Sequence, residues 1–143
     1  MAVAVFNISA KSEYAIKALV RLALAPRDEP LQARDIVAFT GVPPKYLDQV
    51  MHDLRHGGLV ESRRGIGGGY VLVRDPAAIT FYDVVDLIEG SYGGKARMHG
   101  GSQADDLVAP VWNEVRACVS RILQSATIAD AALRVATAPM YHI

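Results

Sequence analysis

Residues 42–75, "VPPKYLDQVMHDLRHGGLVESRRGIGGGYVLVRD", decide how this chain folds. Pro44 suits the first turn of a helix, where its missing N–H has no intrahelical partner to lose, and Gly57-Gly58 suits the end of that helix. Between them Leu47, Val50, Met51 and Leu54 fall at i, i+3, i+4 and i+7, the spacing of one buried stripe, while Lys45, Gln49, His52 and His56 lie roughly opposite. On an isolated helix such a polar stripe is ordinarily solvated surface. Here the helix follows the short helical pattern "LQARDIVAFTG" through a tight Gly-Val-Pro-Pro connection. That is the arrangement of a helix-turn-helix, whose second member enters a major groove.

After Leu59 and Val60 the pattern alternates, and Tyr70, Val71, Leu72 and Val73 form the returning strand of a β-hairpin. Its tip holds Gly65, Gly67, Gly68 and Gly69, which can take the positive φ values a tight turn requires. Arg63 and Arg64 make that tip cationic. A hairpin directly after a helix-turn-helix is a wing. The helix then reads base edges, and arginine on the wing enters the narrower, more negative minor groove next door.

Working outward, Ser9 caps a first helix that runs to about Ala25, with Ile16, Leu19, Val20 and Ala23 at helical spacing. "APRDEP" is a turn. Thr80 and Asp83 form a capping pair that opens a helix ending at Gly90. Residues 90–106, "GSYGGKARMHGGSQADD", read as a polar, glycine-rich loop. In the long helix that follows, Val108, Val111, Trp112, Val115, Val119 and Ile122 keep a three-or-four spacing, and Pro110 is tolerated near its start. Thr127 and Asp130 cap a last short helix, "IADAALRV". The long helix could fold back on its own domain; the favoured reading pairs its stripe with a second copy, setting two recognition helices at separated positions on one duplex. The expected class is therefore mainly α with a small β-hairpin. Residues 1–79 form the winged helix-turn-helix DNA-binding domain, and residues 80–143 form the linker helix, glycine-rich loop and dimerisation helices.

Composition narrows the function. The chain has 143 residues, 51% hydrophobic and 21% charged, which is globular rather than disordered. Lys plus Arg and Asp plus Glu number 15 each, so bulk charge cannot hold nucleic acid and a local patch must. Residues 1–79 carry ten basic and eight acidic side chains, net +2, and the remainder is net −2. The single Cys118 excludes an internal disulfide framework and a metal site built from several cysteines of one chain. The start has no basic segment before an apolar run, and no stretch reaches the roughly 20 apolar residues of a membrane span, so a cytoplasmic location is expected.

Enzyme motifs fail one by one. "GIGGGY" lies between two strand patterns and lacks the helix N-terminus on which a dinucleotide's phosphates rest. A P-loop lysine motif and a G-x-S-x-G elbow are absent. "HDLRH" lacks the glutamate of H-E-x-x-H, so His52 and His56 read as surface or nucleic-acid contacts rather than ligands. His99 reads as a solvated loop residue, and Cys118, within the apolar pattern of the long helix, as a buried inert thiol before a reactive one.

"ISAKSEYAIKAL" together with residues 42–90 resembles the Rrf-type family of winged-helix transcription regulators, closely over about residues 7–90 and more loosely over the helix with Trp112. The resemblance implies a homodimer on a partly palindromic double-stranded operator. It places Lys45, Tyr46, Asp48 and Gln49 on the recognition helix. Gln49 can pair with adenine through two hydrogen bonds, Asp48 can accept from a cytosine amino group, and Lys45 can meet phosphate or guanine. Arg64 matches the family's wing arginine, with Arg63 as a further cation and Gly67 and Gly68 letting the backbone approach DNA. Lys11 and Ser9 match the start of the first helix, where members touch backbone phosphate. Iron-sulfur members of the family place three cysteines in the loop after the Gly90 helix and a histidine three residues before the tryptophan. This chain has Ser91, Gly93, Gly94, Lys95, Arg97, His99, Gly101 and Ser102 in the loop and Ala109 at the histidine position. No family-type cluster, and so no cofactor or metal, is expected. A small-molecule or protein effector would act at residues 91–106 or in the cleft between the wing domain and the long helix.

The expectation is a dimeric, sequence-specific DNA-binding transcription regulator, a repressor and not an enzyme. Two alternatives stand beside it. One is a protein-interaction module that has lost operator binding, which near-zero net charge favours and Arg63, Arg64 and Gln49 oppose. The other is a redox sensor using Cys118 or an unconventional cofactor held between chains by residues such as His99 and Glu89.

Overall fold

Capping residues start the helices. In the computed structural model, which describes residues 8–90 and 102–138, Ser9 Oγ accepts the Ser12 N–H and opens α1 (Ala10–Leu24). Asp35 accepts the Gln32 N–H at the start of α2 (Ala33–Thr40), which ends on Gly41 in the left-handed region at φ +70°. Pro44 begins α3 (Pro44–His56), as the sequence predicts. Strands β1 (Val60–Arg63) and β2 (Gly69–Leu72) pair antiparallel, from Val60 opposite Leu72 to Arg63 opposite Gly69. A single 3₁₀ turn at Pro76–Ala78 leads to α4 (Phe81–Glu89), α5 (Gln103–Ser125) and α6 (Ile128–Thr137).

Three local readings need correction. The loop predicted through Asp106 stops earlier, because Ser102 and Asp105 form a reciprocal capping box and α5 begins at Gln103. Glycine and polar composition masked that cap, whose reciprocal bond Asp105 supplies in place of the usual glutamate. Gly68, expected to supply positive φ, is not among the positive-φ glycines; it is required for space, since a Cβ there would strike the Arg63 carbonyl. The returning strand also begins one residue early, at Gly69. The glycine-rich stretch 91–101, with His99, lies outside the described residues.

The hairpin gains a third member that periodicity does not reveal. Leu31, just before α2, bridges to Tyr70 through N–H···O bonds of 3.0 and 2.8 Å in the two directions. Gly69 makes this possible, because a side chain there would collide with the Leu31 carbonyl.

The core gathers around α1. Leu19, Ile36, Leu47, Met51, Leu54, Ile79 and Ile128 are fully buried, and each contributes on the order of 1.5–3 kcal/mol of burial free energy. All four residues of the predicted α3 stripe are buried, so its opposite face must point outward. The chain then doubles back after α5. Phe81 N–H donates to the Ala126 carbonyl (2.8 Å) and Ile128 N–H to the Ile79 carbonyl (2.9 Å), and this pairing sets α6 on α1 with Ile128 in the common core. By contrast, α5 keeps only Leu123 buried among the described residues of the chain. Leu107, Val108, Val111, Trp112 and Ile122 are exposed on it, and Val115 and Val119 are half-buried.

Candidate nucleic-acid interface

The outward face of α3 carries Lys45, Asp48, Gln49, His52 and His56, all exposed. None of Lys45, Asp48 and Gln49 has a hydrogen-bond or ion-pair partner among the described residues, so their polar groups are free for a ligand. His52 and His56 stack edge to face with ring centroids 4.4 Å apart, as i, i+4 neighbours should. Tyr46 differs from its neighbours. It is half-buried, and its ring meets Tyr14 of α1 edge-on at 5.7 Å, which fixes the pitch of α3 against α1.

The start of α1 adjoins this face and is already engaged. Lys11 forms an ion pair with Asp53 of α3, tying the two helices together beside the proposed groove contact. Ser9 caps its own helix, and its backbone N–H donates to Glu89 Oε1 at 2.9 Å; Ser12 Oγ–H donates to the same oxygen at 2.7 Å. Glu89 is the last residue of α4. Partial burial pushes its carboxyl up, but the hydrogen bonds from Ser9 and Ser12, with Lys11 nearby, outweigh that and hold it below the ordinary glutamate value.

On the wing, Arg63 closes the strand ladder, and its guanidinium stands 4.0 Å from the carboxylate of Asp28, a residue held at φ +66° in the turn between α1 and α2. Arg64 is exposed at the tip and has no ion-pair or hydrogen-bond partner among the described residues. Gly67 turns the chain at φ +79°. A contact that sequence reading missed couples wing to helix: Arg55 Nη1, in the last turn of α3, donates to Ser62 Oγ of β1 at 3.1 Å. Its only sequence signal was a cation near a helix C-terminus, which does not name a partner. Leu87 of α4 also presses on Gly57, so α3, wing and α4 meet at the end of α3.

Other chemistry is sparse. Cys118 is half-buried on α5, and its Sγ accepts from Arg121 Nη2 at 3.4 Å. Among the described residues there is no group of three or more His, Cys, Asp or Glu side chains able to hold a metal ion. Nor is any described helix long and apolar enough to cross a membrane.

A helix-turn-helix with an adjoining cationic hairpin defines the class: a winged helix. The chain belongs to the Rrf2 family, whose profile, described as an iron-dependent transcriptional regulator, matches residues 8–133. A protein of Mycobacterium tuberculosis inferred to be a helix-turn-helix-type transcriptional regulator is 35% identical over 130 residues, spanning 88% of this chain and 81% of that one. Among solved structures, the global cysteine regulator CymR of B. subtilis superposes with a TM-score of 0.78 at 31% identity, covering 90% of this chain and 97% of its own. IscR of T. potens gives a TM-score of 0.78 at 30% identity, over 96% and 94%. The protein is thus a transcription regulator of a DNA-binding winged-helix family, and its relatives are regulators rather than enzymes.

Proposed function

We propose that this chain is a homodimeric, sequence-specific repressor that works without a family-type iron-sulfur cluster. The observation that carries the DNA-binding part is the unpartnered face of α3, Lys45, Asp48 and Gln49, set beside the unpaired, exposed Arg64 of the wing. In this reading Gln49 spans N6 and N7 of an adenine, Asp48 accepts from a cytosine N4 amino group, and Lys45 meets phosphate or guanine. Exposed His52 adds phosphate contacts along the same face. Gly67 and Gly68 keep the wing slim against the backbone of the duplex, while Arg63 and Lys11, each already facing a carboxylate, add positive potential near the phosphates. Residues 1–79 supply these contacts.

Residues 80–143 supply the dimer. The stripe of Val108, Val111, Trp112, Val115, Val119 and Ile122 is the surface a second copy would cover, with Leu107 beside it. Two recognition helices then meet two half-sites, and the dimer occludes the DNA between and around them, which is the simplest route to repression.

The donor set of this chain does not fit the family's iron. A cluster of the common types needs four protein ligands, mainly thiolates, and Cys118 is the only cysteine in 143 residues. Its sulfur accepts a hydrogen bond from Arg121, and Glu89 is occupied by Ser9 and Ser12. A signal would instead enter through residues 91–106 or at the hollow lined by Ile8, Ile16, Phe81, Val85 and Leu123 between α1, α4 and the end of α5. Either entry changes the separation or tilt of the two α3 helices and so operator affinity.

Binding to duplex DNA from the chain's own promoter region tests the reading. Arg64→Ala, with the dimer intact, is expected to cost about 1–3 kcal/mol at moderate salt; affinity equal to wild type would remove the wing contact. Visible absorption with stoichiometric iron in protein purified without oxygen would defeat the cluster-free assignment.

A further inference from the structure

We propose that Ile66 is a base-contacting residue of the wing, an apolar probe that enters the minor groove beside Arg64 and sets a preference for A·T pairs there. The proposal rests on the DNA-binding reading above and adds a residue and a sequence rule to it.

Ile66 has a relative exposure of 110%, the highest of the exposed large hydrophobics; the next, Leu107 at 76%, belongs to the α5 surface assigned to a second copy. None of the described residues covers it. Its neighbours are Gly65 at φ +97° and Gly67 at φ +79°, and no other atom lies within 4 Å of where a Cβ would stand at either position. The tip therefore narrows to bare backbone on both sides of one branched side chain. Below it the turn is closed by the Gly68 N–H to the Gly65 carbonyl at 2.9 Å, and the stalk is held by the β1–β2 ladder and the Leu31–Tyr70 bridge. Gly68 and Gly69 have no room for side chains, so the projection of Ile66 is set by packing at the base of the wing.

The minor groove is only about 6 Å wide, and a hairpin tip with several side chains would be too thick to enter it. A Gly-Ile-Gly tip is thin enough. Arg64, two residues earlier and unpaired, supplies attraction to the negative groove, which is deepest and narrowest over A·T runs. The floor of the groove distinguishes the pairs in the same direction. Guanine projects an N2 amino group into it, a donor that an aliphatic side chain cannot satisfy and whose volume it would have to avoid; A·T leaves the floor open. Apolar side chains of this kind also enter at base steps and unstack them, most readily at flexible pyrimidine–purine steps.

The experiment uses the full chain and a duplex recovered by selecting wild-type protein against random-sequence DNA, with the wing-facing positions mapped by footprinting. At those positions A·T is replaced by inosine·C, which presents the same minor groove as A·T, and by G·C. Fluorescence anisotropy at fixed salt is expected to give wild-type affinities alike for A·T and inosine·C and about tenfold weaker for G·C. Ile66→Ala and Ile66→Asn should bind A·T about five- to tenfold more weakly and lose most of the inosine·C to G·C difference, while Ile66→Val keeps most of it. Since no described residue covers the side chain, thermal melts of the variants should match wild type. If Ile66→Ala retains the wild-type affinity and G·C penalty, with Arg64→Ala alone abolishing it, the proposal is wrong and the arginine is the sole reader. If wild-type protein enriches no duplex at all, the DNA-binding reading itself fails and takes the proposal with it.

Discussion

A carboxylate at the end of one helix holds the start of another. Glu89 Oε1 receives two hydrogen bonds, from Ser9 N–H and Ser12 Oγ–H, 80 and 77 residues away in sequence. Its carboxyl lies below the ordinary glutamate value of 4.5. A carboxyl depressed on folding contributes stability that is present above its unfolded value and lost as pH falls through the folded one. Wild-type stability should therefore decline as the pH drops below about 4.5, and Glu89→Gln should be less stable by about 1 kcal/mol at neutral pH with a flatter acid limb. Urea midpoints that fall in parallel for both proteins would mean the contact contributes nothing. On α3, Gln49→Ala should weaken binding to a selected operator by about 1–3 kcal/mol and relax discrimination at one base pair only, as a permutation series on that operator would show. A uniform loss across all sequences would place Gln49 on phosphate instead.

Among the elements, the wing and α6 depend most on distant partners. Gly69 sits at φ +151° against the Leu31 carbonyl, so Gly69→Ala must break the bridge to Tyr70 or shift β2. The expected result is a loss of at least about 1 kcal/mol of stability, with weaker DNA binding because Arg64 and Ile66 are no longer aimed. Ile128, fully buried where α6 meets α1, should cost about 2–5 kcal/mol as Ile128→Ala in denaturant unfolding. These two outcomes differ in kind: the first acts on aim, the second on the core.

For the molecule as a whole, the open question of packing is α5. Leu107, Val108, Val111, Trp112 and Ile122 expose a contiguous apolar stripe larger than scattered surface residues account for. Val111→Asp with Trp112→Glu should yield a folded monomer by light scattering with unchanged circular dichroism, and operator affinity should fall by more than tenfold as one half-site contact is lost. A dimer that survives this double substitution would move the interface elsewhere. Sequence and structure divide along the same line as local and distant interactions. The helix starts, the recognition stripe, the hairpin and its arginines were legible because caps, 3.6-residue periodicity and glycine turns act over a few residues, and Lys45, Asp48, Gln49 and Arg64 lie where those rules put them. The start of α5 was misread because its cap hid inside a glycine-rich composition, although that signal was local. What only the tertiary structure decided is which group meets which: Leu31 on Tyr70, Arg55 on Ser62, Glu89 on Ser9 and Ser12, α6 on α1, with Ile66 and the outer stripe of α5 left exposed among the described residues. Periodicity records that a face is apolar or a residue charged, and it carries no record of the partner, because that partner is fixed by the path of the chain in space.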